Sequence, residues 1–362
     1  MTRTIDRSFL YTTFALLIGG LLILTSASMA LSYKKTGSIA GFALRQVAVG
    51  GGFGVIVMYV TSRVHYRIWR KIALPLLLVS FVLLALLFVP QIGFSAKGAT
   101  RWLSLGSFTF QPAELLKLAF IIYLASWLDA RRREVASVSY GMIPFVLMLS
   151  VVGVFLIMQP DVGTLFVIVV SAGLLYFLGG GKASQVITLV LLGIAAFYLL
   201  LHLQPYRLSR LMVFLNPGLD PQGAGYQITQ ASIAIGSGGF WGLGFGKSIQ
   251  KYQHLPEPMG DSIFAIFSEE MGFFGASALL VLFLFFFLKG LSIAKKAPDP
   301  FGKLLAAGIS IGIMTQAFVN MASISGLMPL TGVPLPFVSY GSSSLLVTLA
   351  SAGILMNISK HT

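Results

Sequence analysis

Asp261 is the residue whose type and place most invite chemistry. It stands where a long polar segment, Tyr206 to Gly275, re-enters an apolar run, and six further acids lie in comparable places: Glu114, Asp161, Asp220, Glu257, Glu269 and Glu270. The cations interleaved with them are Arg45, Arg101, Lys117, Arg207, Arg210, Lys247 and Lys251. A carboxylate can activate a hydroxyl by taking its proton, and cations can stabilise a departing phosphate. Together, at a lipid–water boundary, they suit a substrate that is both lipid-anchored and phosphorylated, and Arg101 is of a type that can pair with phosphate.

Each residue also has a plainer reading. An Asp before an apolar helix is a good N-cap, so cap and base both stand for Asp261; Asp161, after Pro160, reads as a cap alone. Glu114 and Lys117 are three residues apart, which puts them on one helix face as an ion pair, fixing register or lining a cavity. Arg45 can snorkel from its span, and Trp102, beside Arg101, suits either an interfacial belt or a sugar or lipid chain. Glu269 lies about two turns beyond Asp261 and can be a buried polar partner for another helix.

Other chemistries lack their residues. The chain contains no Cys, and its four His, at 65, 202, 254 and 361, show no metal spacing. There is no P-loop, HExxH or GxSxG; the glycines at 236–239 and 242–246 lack the strand and helix that a nucleotide fingerprint needs.

The elements that must position these groups are apolar helices. Of 362 residues, 56% are hydrophobic and only 10% charged, too few to cover a globular surface in water. The fold class is therefore all-α: a polytopic membrane bundle of about ten helices forming one unit over 1–362. The expected spans are 9–31, 43–61, 73–90, 111–129, 141–158, 161–178, 186–203, 262–289, 304–322 and 341–358. A large extracytoplasmic loop, 204–261, separates the seventh and eighth. The first apolar run reads as a retained anchor.

The net charge of +14 suits anionic membrane lipids rather than nucleic acid. With the N-terminus inside, 15 Lys and Arg fall on the cytoplasmic side against eight outside, so both termini are expected in the cytoplasm. The stretch 323–340 is apolar, carries three prolines and no charge, and is expected to dip back toward the same space as the long loop. No internal repeat is evident, which counts against an inverted-repeat transporter.

Six segments carry a resemblance: RWLSLGSFTFQPAELLKLA, MQPDVGTL, FLNPGLDPQGAGYQ, AIGSGGFWGLGFGKSIQKYQHLPEP, DSIFAIFSEEMGFFG and GLMPLTGVPLPFVSYGSSS, spread over 101–345. In this order they resemble the SEDS family (shape, elongation, division and sporulation) of FtsW/RodA-type cell-wall polymerases, closer to its division branch. The resemblance implies a bundle of ten spans in the bacterial cytoplasmic membrane that polymerises lipid II outside it, releasing polyprenyl pyrophosphate. It implies Asp261 as catalytic residue and as ligand of a divalent cation, Mg²⁺ or Mn²⁺. Arg45, Arg101, Trp102, Glu114, Lys117, Arg210 and Lys247 become candidate substrate contacts, and a class B penicillin-binding protein the expected partner. A flippase for the same lipid and a non-catalytic scaffold are the alternatives. Two departures stand out: Met259-Gly260 where the family has His-Thr, and Ser342 where it has Gly.

Overall fold

The computed structural model describes residues 4–89, 92–96, 99–105, 108–203, 205–252 and 254–362; Arg3, Lys97 and Gln253 lie outside them. The chain runs α1 (Arg7–Thr36), α2 (Gly41–Arg45), a π-helical stretch (Gln46–Gly52), α3 (Phe53–Arg63), α4 (Arg67–Leu86), α5 (Pro112–Ala130), a second π turn (Val138–Met142), α6 (Ile143–Met158), α7 (Val162–Leu178) and α8 (Ala183–Leu203). It continues through α9 (Pro205–Leu215), α10 (Ala224–Ser237), α11 (Ile263–Lys296), α12 (Pro300–Ile324) and α13 (Ser342–Ser359). Each of the ten expected spans falls on one of these helical stretches. Seven of them are long and apolar enough to cross a membrane, and 162–178 and 183–199 are shorter apolar helices.

Two expected loops carry structure. Three strands, β1 (Gly93–Ala96), β2 (Ala99–Leu105) and β3 (Phe108–Phe110), form an antiparallel sheet in which Trp102 opposes Phe94. The 204–261 segment holds α9, a 3₁₀ turn and α10 rather than irregular chain. Its glycines and prolines mask those helices in the sequence, because they sit at the ends of the elements rather than inside them.

Burial grades the bundle. α12 and α13 are sheathed by their neighbours, with 78% and 89% of their apolar windows buried. α13 packs on α3, where Thr61 Oγ1 donates to Ala350 O at 3.1 Å; small side chains let the backbones approach, as membrane helices require. α8 is the opposite. Residues 191–199 are exposed on every face, and its fixed point is Gln185, which accepts from Tyr176 Oη at 3.2 Å and donates to Ala136 O at 3.3 Å.

α11 is broken at Gly272, whose φ of 64° and ψ of −165° suit glycine alone. A helix break frees backbone groups that must be paired away from water. The glycine-rich stretch supplies the partners: Leu243 and Gly244 donate to the carbonyls of Glu269 and Glu270 at 3.0 and 2.9 Å, and Phe273 N donates to Gly239 O at 2.8 Å. Here the glycines serve close backbone pairing.

Both termini lie at one end of the bundle, the basic end. Asp6 N donates to Ser359 Oγ at 3.2 Å, and Lys360 Nζ to Ser62 O at 2.8 Å. Beside them Tyr66 Oη donates to Asp299 Oδ2 at 2.5 Å, with Arg67 Nε 3.0 Å from the same oxygen. Burial, then the hydrogen bond to and the charge of Asp299, push the Tyr66 phenol up to about 12. For Asp299, burial acts upward, but hydrogen bonds from Tyr66, Gly302 N and Arg67 outweigh it and hold the carboxyl below its ordinary value. The carboxylate's contribution is therefore present above the ordinary Asp value and lost as pH falls through the lowered one. The phenol's is complete below 10 and lost as pH rises toward about 12. Tyr66→Phe is expected to cost about 1 kcal/mol at neutral pH and to shrink the stability lost on acidification, because the Asp299 carboxyl moves back toward its ordinary value, read by thermal melts between pH 3 and 8.

Candidate active site at the head of α11

Asp261, Arg210, Arg45 and, through Gln316, the Glu114–Lys117 pair converge on one piece of chain, 325–341, while Arg101, Asp161 and Lys247 do not. Its apolar, proline-rich backbone lies folded against the heads of α7, α11 and α13.

Asp261 precedes α11 without capping it. The cap position belongs to Ser262, whose carbonyl takes the first helical bond from Ala265 N at 3.0 Å. That removes the capping reading of Asp261 and leaves its carboxylate partly exposed. The neighbouring main chain is held firmly. Asn320 Nδ2 donates to Asp261 O at 2.9 Å, Ser339 Oγ to Gly260 O at 2.7 Å, and Tyr340 N to Met259 O at 2.8 Å. On the carboxylate itself, Gln227 Nε2 of α10 lies 3.4 Å from Oδ1 and also donates to Ser262 Oγ at 3.0 Å. Gly332, at φ +72°, leaves space beside Oδ2. The backbone contacts explain why Met259 and Gly260 can stand here: the turn is held through carbonyls, whatever the side chains. Ser342 likewise opens α13 without disrupting it.

Arg210 reaches the same loop from α9, with Nη1 3.0 Å from Leu330 O. Arg45 is exposed, and its charge acts on the Tyr340 phenol. Glu114 and Lys117 form the expected ion pair at 2.9 Å; Lys117 Nζ also donates to Gln316 Oε1 at 2.5 Å, and Gln316 Nε2 to Pro334 O at 2.9 Å. This pair lines a small cavity of about 40 Å³ among α5, α7, α12 and α13.

Arg101 joins less directly. It donates to the carbonyls of Gln159 and Pro160, closing the break between α6 and α7. Asp161 then caps α7, accepting from Thr164 N at 3.2 Å, as its position suggested. Trp102, half-buried in β2, stays with the sheet. Lys247 is exposed and packs along Gly244, with no contact to the Asp261 turn among those described.

The buried cation of that region is Lys251, which spacing alone could not rank above Lys247. Its side chain is 0% exposed, and Nζ lies 2.8 Å from Glu270 Oε1 and 3.1 Å from Ser26 Oγ. Glu269 accepts from Ile249 N and Gln250 N at 3.1 and 3.3 Å, so it partners the 248–250 turn rather than a helix.

The comparisons fix the family. The profile described as "Cell cycle protein", covering FtsW, RodA and SpoVE, matches residues 6–362. The chain belongs to the FtsW/RodA/SpoVE family. Its FtsW/RodA/SpoVE relatives include a probable peptidoglycan glycosyltransferase FtsW of Geobacter sulfurreducens, 41% identical over 98% of this chain and 95% of that one. Stage V sporulation protein E of Bacillus subtilis is 38% identical over 97% and 95%. A chain from a peptidoglycan synthase complex that coordinates polymerization and crosslinking superposes with a TM-score of 0.79 at 29% identity, covering 98% of this chain and 97% of that one. The rod shape determining protein RodA of Thermus thermophilus gives 0.71 at 28%, covering 99% and 97%. With its apolar helices, membership of this family makes the chain a polytopic membrane protein.

Proposed function

We propose that this chain is a peptidoglycan glycosyltransferase that polymerises lipid II at the outer face of the bacterial cytoplasmic membrane, its termini in the cytoplasm. One observation carries the reading: Asp261 has its main chain clamped to α12 and to 325–341 while its carboxylate stays partly exposed. That is how a base is held ready for a hydroxyl. The relatives named as peptidoglycan glycosyltransferases support the same reaction class.

In this reading Asp261 takes the proton of the incoming sugar's hydroxyl. The oxygen attacks the anomeric carbon of the lipid-linked sugar from the opposite face, and the bond to the pyrophosphate breaks with inversion. Arg210 and Arg45, both beside 325–341, favour the anionic leaving group. α8, exposed on every face over 191–199, leaves a flank through which a polyprenyl chain can stay in lipid while its headgroup reacts. Among the described residues no cluster of three metal-ligating side chains exists. One partly exposed carboxylate fits Mg²⁺ or Mn²⁺ shared with substrate phosphate, the usual mode for Mg²⁺. Asp261 would hold such an ion, which would supply charge neutralisation at the pyrophosphate. A class B penicillin-binding protein is the proposed partner, consistent with the synthase complex that the chain resembles.

The test is reconstitution in liposomes with lipid II, a divalent cation and the transpeptidase. Glycan polymer is expected. Movement of labelled lipid II across the bilayer without polymer would replace this reading with a flippase, and neither activity in folded protein would leave a scaffold.

A further inference from the structure

Asn320 and Gln316 lie one turn apart on α12, each bonded to the 325–341 loop. Asn320 is fully buried, and its Nδ2 has two acceptors, Asp261 O at 2.9 Å and Val333 O at 2.8 Å. Both are carbonyls, so only the NH₂ of the amide can face them, and the partners dictate its orientation. One side chain thus ties the residue that bears the candidate base to the chain on its other side, next to Gly332.

Gln316 makes the matching link deeper in the bundle. Its Oε1 accepts from Lys117, whose charge is balanced by Glu114, and its Nε2 donates to Pro334 O. Lys117 and Glu114 are both buried, 9% and 2% exposed, and both are engaged by protein. The ammonium therefore delivers its effect to the 325–341 loop through an amide.

We infer that Asn320 and Gln316 are positioning residues for the reaction, and that the Glu114–Lys117 pair acts on it through Gln316 rather than by touching the substrate. The inference rests on the reading of Asp261 given above. A base must be placed to well under an ångström, and a displacement of about 1 Å costs on the order of 100-fold in rate. Asn320 controls the peptide of Asp261 from the side remote from the substrate, so its loss falls on turnover and leaves substrate affinity alone.

Three variants test this in the full chain reconstituted with its transpeptidase and lipid II. Asn320→Asp replaces the donor by an oxygen facing two carbonyl oxygens. Asn320→Leu removes the donor without adding charge. Gln316→Glu keeps an acceptor for Lys117, turns the donor to Pro334 O into an oxygen and adds a charge that Lys117 can balance. The expected result is a fall in kcat of about 100-fold for the Asn320 variants and a smaller fall for Gln316→Glu, with KM unchanged in protein that stays folded at the assay temperature; the melting temperature falls most for Asn320→Asp, whose buried charge faces two carbonyls. Unchanged kcat in folded protein overturns the inference. So does a kcat that merely tracks the melting temperature, lowest for Asn320→Asp and near wild type for whichever variant melts highest, which marks a merely structural role. Asp261→Asn, assayed alongside, separates the two failures: if it retains full turnover, the reading of Asp261 is lost; if it is dead while the Asn320 variants are active, only the positioning role is.

Discussion

Asp261→Asn is expected to lower polymer yield by about 10²–10⁴-fold while leaving the protein folded, the range that removal of a positioned general base produces. The structure separates these two outcomes. What holds Asp261 in place is its own carbonyl and those of Gly260 and Met259, all of which an asparagine leaves intact. The cap of α11 belongs to Ser262, so helix stability is untouched. What changes is the capacity to accept a proton. Asp261→Glu retains the carboxylate but moves it by one methylene from a clamped backbone, and an intermediate loss of about 100-fold is expected. Asp261→Cys adds a further discrimination, because the chain contains no other thiol. A role as ion ligand predicts partial rescue of that variant by thiophilic Cd²⁺ over Mg²⁺; a role as base alone predicts none. Full polymer yield from Asp261→Asn, with normal melting and partner binding, would remove this residue from the chemistry.

Much of the scaffold was legible because lipid imposes a simple grammar: long apolar runs become helices, and polar breaks become their ends. The same grammar hid local detail. The three-stranded sheet escaped notice because its strands are short and interrupted by glycine and serine. α10 escaped because QITQASIAIGS is mixed in polarity yet folds as a helix laid beside α11. At the site, the spacing of Glu114 and Lys117 gave their pairing correctly, but only coordinates could show that Gln316 carries the link onward. Asp261 was open between cap and base until the helix start fell at Ile263. The 325–341 loop was the most telling sequence feature: apolar backbone that cannot be helical has to be covered by protein, and here it is covered by the residues with chemistry. Lys247 and Lys251 show the limit. Four residues apart in one polar stretch, they differ in burial for reasons set by Ser26 on α1 and Glu270 on α11, both remote in sequence.

That difference carries the second large effect. Lys251→Met is expected to destabilise the protein by about 3–5 kcal/mol, the usual result of removing one member of a buried ion pair. Glu270 would keep its bonds from Ser26 Oγ, at 2.6 and 2.7 Å, and from Ser248 N, at 3.3 Å, but would lose its only described counter-charge beside a second buried carboxylate, Glu269. Gly246 O would lose its donor too. The damage should centre on the break in α11, because Leu243 and Gly244, just upstream, supply the N–H groups for the carbonyls of Glu269 and Glu270. Adding Glu270→Gln to Lys251→Met should recover most of the loss, since a neutral amide can stay hydrogen-bonded there without a counter-charge. Lys247→Met, at the exposed neighbour, should shift stability by less than about 0.5 kcal/mol. Thermal melts of the four proteins in one detergent decide the matter. If Lys251→Met melts with the wild type, the pair does not hold the glycine-rich strap to α11. If the double variant is no better than the single, the cost lies in lost packing of the lysine stem rather than in a stranded charge.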